Sequence, residues 1–120
     1  RQLMLQSKYF SEIDLKDFGF KSIGKNVKIS SDARIYGPEN ISIGNNVRID
    51  DFAILSATNG SISIGNYVFI GRNSHLSGFF GIEMHDNHQK YILRLHPHNH
   101  NHNTNHVLDY IHTIFFSYPI

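Results

Sequence analysis

Cysteine is absent from the 120 residues, which excludes disulfides and thiol chemistry. Charge of either sign has no surplus: 11 Lys and Arg stand against 10 Asp and Glu, a formal net charge of +1. That balance provides no electrostatic footprint for nucleic acid or a charged membrane surface. No run approaches the roughly 18 apolar residues of a membrane span, and no apolar signal-peptide core opens the chain. These absences leave a cytoplasmic location as the default expectation. The length suits one domain, and the first residue, Arg1, is not methionine, as in a fragment. Glycine is missing from the last 39 residues, all nine glycines lying between Gly19 and Gly81.

What is present is a repeat. Ile23, Val27 and Ile29 recur as Ile43, Val47 and Ile49, and again as Ile64, Val68 and Ile70. Each set leads to a small residue (Ala33, Ala53, Ser74) and then an aliphatic one (Ile35, Leu55, Leu76). The starts are 20 and 21 residues apart, a period that marks a solenoid. Steps alternating between four and two residues match neither an amphipathic helix nor a lone hairpin. They fit coils of three short strands, each pointing an aliphatic residue inward, where β-branched side chains stack well. Three coils at ~4.8 Å spacing make a prism only about 14 Å tall.

Corners follow from composition. Gly24, Gly44 and Gly65, with Asn26, Asn45, Asn46 and Asn66, are expected to accept left-handed dihedrals there. The residues beyond a minimal coil of three hexapeptides, about 18 residues, are expected to form a bulged corner at 36–42, 56–63 and 77–83.

The repeat then stops. Ile82 and Met84 continue the pattern, but the next inward positions would be His88, Lys90, Arg94 and His96. Unpartnered charges and imidazoles in an apolar channel would cost several kcal/mol in total. Seven of the nine histidines also fall after Asp86. The chain therefore divides into an N-terminal segment with a capping helix (1–22), a repeat unit (23–86) and a His/Asn-rich tail (87–120), expected to be irregular. In the first segment Ser11 reads as an N-cap with Asp14 closing a capping box, and Gly19 suits the residue after the helix. Phe10, Leu15 and Phe18 give that helix an apolar side with which to lid the first coil.

The stretches 18–27, 35–41 and 47–56 resemble the hexapeptide-repeat acyltransferases, whose fold is a left-handed parallel β-helix. Within that family they are similar to bacterial sugar O-acetyltransferases of the galactoside and polysaccharide-modifying type, the likeness covering residues 8–86. The resemblance implies an all-β solenoid of about three coils, assembly as a homotrimer, and acetyl-CoA as co-substrate with no metal. It also implies a sugar or polysaccharide-precursor hydroxyl as acceptor and a histidine as general base. The coils that supply much of the acyl-CoA groove in the family are absent here. Residues 87–120 accordingly read as a truncated or frame-shifted end. The alternative function is a catalytically inactive β-helix remnant or interaction module.

Two histidines are candidate bases. His75 follows the inward Ser74 and should point outward from the third coil, where a surface histidine without function is the competing reading. His85 takes the corner place of Gly24, Gly44 and Gly65 with Asp86 beside it, and a merely polar corner competes there. His96 precedes Pro97, as in some galactoside acetyltransferases, a match that chance also explains. His96, His98, His100 and His102 alternate and would share one face if extended. They can chelate zinc, nickel or copper, but without a rigid frame this is adventitious binding, not a metal site. The apolar residues 111–118 are expected to cap the open prism, pair with residues 91–95, or aggregate.

Overall fold

The computed structural model describes residues 8–87, 90–95 and 114–116. It opens on helix α1 (Glu12–Asp17), where Ser11 Oγ accepts from the Asp14 N–H and Asp14 Oδ2 accepts from the Ser11 N–H, each at 3.1 Å. This reciprocal pair satisfies two of the donors a helix start leaves free. Gly19 follows at φ +81°, as the sequence suggested. Leu15 is the buried residue of the helix, and Phe10, Phe18 and Phe20 form an edge-to-face and tilted aromatic series beside it. Substituting Ser11 with alanine should cost about 1 kcal/mol, read as a shift in the denaturant midpoint with an unchanged slope.

Nine short strands then wind through three coils. The first coil holds β1 (Ser22–Ile23), β2 (Lys28–Ile29) and β3 (Arg34–Tyr36). The second holds β4 (Ile41–Ile43), β5 (Arg48–Ile49) and β6 (Ile54–Ser56), and the third β7 (Ile62–Ile64), β8 (Val68–Ile70) and β9 (His75–Ser77). Strands at the same place in successive coils pair in parallel, giving three sheets wrapped around one core. The register aligns Ile23 with Ile43 and Ile64, Ile29 with Ile49 and Ile70, and Ile35 with Leu55 and Leu76. Val47, Val68, Ala33, Ala53 and Ser74 are also buried. The columns anticipated from the repeat therefore exist. In the first coil Ile29 and Ala33 are buried but Ile23, Val27 and Ile35 are only half-buried, so every column is closed only from the second coil onward.

Two expectations need correction. The bulged corner is narrower than residues 36–42, 56–63 and 77–83. Ile41, Ile62 and Ile82 are inward strand residues, all essentially without exposure, and form a further column. The alternation Ile-Ser-Ile in the first two, and Ile82-Glu-Met84 in the third, has the period of two that faces both apolar residues inward. The irregular corner shrinks to 37–40, 57–61 and 78–81, with 3₁₀ turns at Pro38–Asn40 and Gly78–Phe80.

The second correction concerns glycine. The left-handed residues are Asn26, Asn46 and Tyr67 at one corner, Phe52 and Asn73 at the next, and Gly37 and Gly81 at the third, while Gly24 and Gly44 have ordinary dihedrals. A Cβ on Gly24 would instead lie 2.6 Å from the carbonyl of Gly44, and one on Gly44 would lie 2.7 Å from that of Gly65. These glycines serve close approach of stacked backbone. Asparagines complete the corner: Asn45 Oδ1 accepts from the Lys25 N–H and Asn66 Oδ1 from the Asn45 N–H, both at 2.7 Å.

Both ends of the stack are covered in part. Residues 8–10 run antiparallel to the edge of β2, with Phe10 N–H donating to Ile29 O at 2.9 Å and Ser31 N–H to Lys8 O at 2.7 Å. At the other end β10 (Ile82–Asn87) pairs in parallel with β7 only through Met84. Beyond it the chain folds back as β11 (Lys90–Leu95), antiparallel to β10, which places Lys90 and Arg94 outside any fourth coil. Within the tail, β12 (Ile114–Phe116) lies antiparallel to β8. It thus caps a sheet edge, while the partner of residues 91–95 is β10. Paired edges no longer template association. The segment from His96 to His106 lies outside the described residues, as does His88.

Candidate functional site

His75 stands on β9, the strand that closes the third sheet. Its register row is Arg34, Ile54, His75, and its side chain is exposed while the following Leu76 is buried. The outward orientation read from the repeat is therefore present. The neighbouring outward row is Tyr36, Ser56, Ser77, with Tyr36 exposed at one end. Around the adjacent corner Phe52 is also exposed, held at φ +63°.

His85 does not occupy a corner. The strand runs on through it to Asn87, and its register partner is Ile92 of the antiparallel β11. The coil ends here, so nothing turns the chain where Gly24, Gly44 and Gly65 turn it. His75 and His85 belong to different sheets, and the fold does not bring the two candidate bases into one strand ladder. His96, His98, His100 and His102 fall outside the described residues. Among the described residues no group of three or more His, Asp and Glu gathers as metal ligands would.

Sequence reasoning missed a charged clamp on the second sheet. Arg48 Nε donates to Asp50 Oδ1 at 3.0 Å and Arg48 Nη2 to Asp50 Oδ2 at 3.2 Å. The guanidinium also lies 4.3 Å from the centroid of Phe69, one coil further on. A buried carboxylate on one edge and an aromatic face beneath hold this side chain in one orientation. The signal was the Arg-x-Asp spacing, which puts both side chains on one side of an extended segment. Nearby, the fully buried Ser30 donates from Oγ to Asp51 Oδ1 at 2.6 Å, and the same Oγ accepts from the Asp32 N–H.

A groove of about 580 Å³ opens between α1 and the first coil. Lys16, Lys25, Lys28 and Glu12 rim it, over Ile23 and Val27. Among the described residues no helix is long and apolar enough to cross a membrane.

No protein-family model matches the chain. Over 70 residues, 58% of this chain, it is 57% identical to the dTDP-4-amino-4,6-dideoxy-D-glucose acyltransferase of Escherichia coli, covering 36% of that protein. Among solved structures it is similar to AntD, an N-acyltransferase from Bacillus cereus, in complex with dTDP and 3-hydroxybutyryl-CoA. That likeness has a TM-score of 0.60 and 50% identity, covering 68% of this chain and 42% of AntD. An AntD variant in complex with dTDP-4-amino-4,6-dideoxyglucose and coenzyme A gives 0.58 and 49%, covering 66% and 41%. The chain thus spans between 36% and 42% of the length of these relatives. The fold is the left-handed parallel β-helix of about three coils that the repeat and the resemblance implied. The likeness supports a hexapeptide-repeat acyltransferase, with relatives whose acceptor is an amino sugar and whose structures hold coenzyme A or an acyl-CoA.

Proposed function

We propose that this chain comes from an acyl-CoA-dependent N-acyltransferase whose acceptor is a dTDP-linked amino sugar. The observation that carries the reading is 57% identity over 70 residues to an acyltransferase of that substrate class. The superposition on an N-acyltransferase solved with dTDP and an acyl-CoA supports it. The O-acetyl transfer implied by the sequence resemblance gives way to N-acyl transfer, because the relatives' acceptor carries an amine.

The chemistry is compact. The amine lone pair attacks the thioester carbonyl, a C–N bond forms, the C–S bond breaks, and the coenzyme leaves as its thiolate. The amine must lose a proton and the thiolate gains one. A neutral imidazole can accept and return that proton, since its ordinary pKa lies near neutrality. His75, exposed on β9, and His85, on β10, remain the candidates. A homotrimer is the assembly that goes with this reading.

The test is release of coenzyme A thiol in the presence of dTDP-4-amino-4,6-dideoxyglucose, with acetyl-CoA and 3-hydroxybutyryl-CoA compared as donors. Turnover should require the amino sugar. Substituting the base, His75→Ala or His85→Ala, should lower kcat by about 10²–10⁴-fold. Unchanged rates in both variants would remove the histidine assignment, and a complete absence of transfer would leave the inactive β-helix module as the reading.

A further inference from the structure

The first coil is built differently from those above it. Ile43 and Val47 are 3% and 1% exposed, yet their counterparts Ile23 and Val27 are only half-buried. The helix covers this end through Leu15, and the remaining gap is the groove of about 580 Å³, within the roughly 300–1,000 Å³ usual for small-molecule sites. Its floor is apolar and its rim is basic. Lys16 comes from the helix, Lys25 from the first corner and Lys28 from β2, with Glu12 the sole carboxylate among the lining residues. Among the described residues none of the three ammonium groups has an ion-pair partner. The Lys28 ammonium, 5.9 Å from the Tyr9 ring centroid, also stands in register beside Arg48 of the next coil. Arg48 is answered by Asp50, so the charge left at the groove is that of three lysines against Glu12.

We propose that the groove between α1 and the first coil binds a phosphate or pyrophosphate ester bearing an apolar arm. The ammonium groups of Lys16, Lys25 and Lys28 would hold the phosphate oxygens, and the arm would cover Ile23 and Val27. The N–H groups of Gly24 and Lys25 are already committed, to Ile43 O and Asn45 Oδ1, so the charged side chains carry the recognition. The site goes beyond the acyl-transfer reading, lying at the opposite end of the stack from the last coil and from β10. Two sources share the required chemistry, a nucleoside diphosphate and coenzyme A with its pantetheine arm.

Calorimetry on the full chain with dTDP, butyryl-CoA, coenzyme A and inorganic pyrophosphate distinguishes them. At least one phosphate-bearing probe should bind saturably and lose affinity as salt rises. Preference for butyryl-CoA over pyrophosphate would identify the coenzyme, and preference for dTDP the nucleotide. Each of Lys16→Ala, Lys25→Ala and Lys28→Ala should weaken binding about tenfold or more, as loss of a charge-assisted contact does. Lys21→Ala, an exposed lysine outside the groove, should leave affinity unchanged. All four positions are exposed, so circular dichroism should report intact folding. No saturable binding at millimolar probe, or undiminished affinity in the triple lysine variant, would overturn the site. So would self-association that the triple variant abolishes, because the occupant would then be a second copy. Loss of probe binding in the triple variant with acyl transfer retained would support a site separate from the acyl-transfer centre.

Discussion

Ile49→Ala should lower the stability of the chain by about 2–5 kcal/mol, the cost of truncating a large aliphatic side chain in a core that cannot close around the gap. Ile49 is wholly buried in the middle coil, with Ile29 on one side and Ile70 on the other. The parallel ladder fixes coil spacing near ~4.8 Å, so the layers above and below cannot collapse into the space. Domains retain about 5–15 kcal/mol in total, and a three-coil core sits toward the lower part of that range. The variant should therefore unfold at much lower urea, followed by loss of the β signal in circular dichroism. Ile23→Ala provides the contrast. That side chain is half-buried, so its truncation should cost distinctly less. Equal losses at the two sites would contradict the assigned register.

Gly44→Ala is the second large effect. The added methyl would lie 2.7 Å from both the carbonyl carbon and oxygen of Gly65 and 2.7 Å from Asn66 Oδ1. Two of those atoms are backbone of the next coil, which cannot shift without breaking the hydrogen bond from Gly44 N–H to Ile64 O, 2.7 Å long. Overpacking of this kind costs about 1–3 kcal/mol and at times more. Gly19→Ala separates steric approach from dihedral strain, since Gly19 sits at φ +81° with open space around it. It should lose only the left-handed penalty, about 1–2 kcal/mol. If Gly19→Ala proved the more damaging in thermal melts, the corner glycines would owe their place to conformation after all.

The repeat was readable because each coil presents the same side chain to the same neighbour. Periodicity alone therefore located Ile29, Ile49 and Ile70, or Ile35, Leu55 and Leu76. The capping helix was equally plain, as Ser11 and Asp14 satisfy each other within one turn. Harder to read was anything set by contact between coils. Gly24 and Gly44 look like turn glycines until the carbonyl of the next coil is placed against them. The inward place of Ile41 and Ile62 was obscured by a spacing that exceeds three hexapeptides, and the surplus was assigned to the corner as a whole. His85 was misplaced for a related reason: its position in the period is a corner only if another coil follows. Of the candidate sites, the outward aspect of His75 was legible from its neighbour Ser74. The clamp of Arg48 and Asp50 on Phe69, and the basic groove under α1, depend on residues that meet only after folding. The acceptor class was not legible in residue chemistry at all and rests on likeness to relatives.

The uniform separation of stacked partners, 20 or 21 residues in every parallel ladder between coils from Ser22↔Ser42 to Ser56↔Ser77, has a kinetic consequence. Closing each coil onto its predecessor costs nearly the same loop entropy, because that cost depends only on the logarithm of loop length. Among the coil-to-coil closures none stands as the bottleneck. The slow event is formation of the first stacked pair, after which every further coil meets a ready-made template and adds at a similar rate. Coils one and two, joined by Lys28↔Arg48 and Ile29↔Ile49, and coils two and three, joined by Arg48↔Phe69 and Ile49↔Ile70, offer two nearly equivalent starting points. A substitution in the middle coil touches both nuclei and should slow refolding, whereas one in an outer coil leaves the other route open.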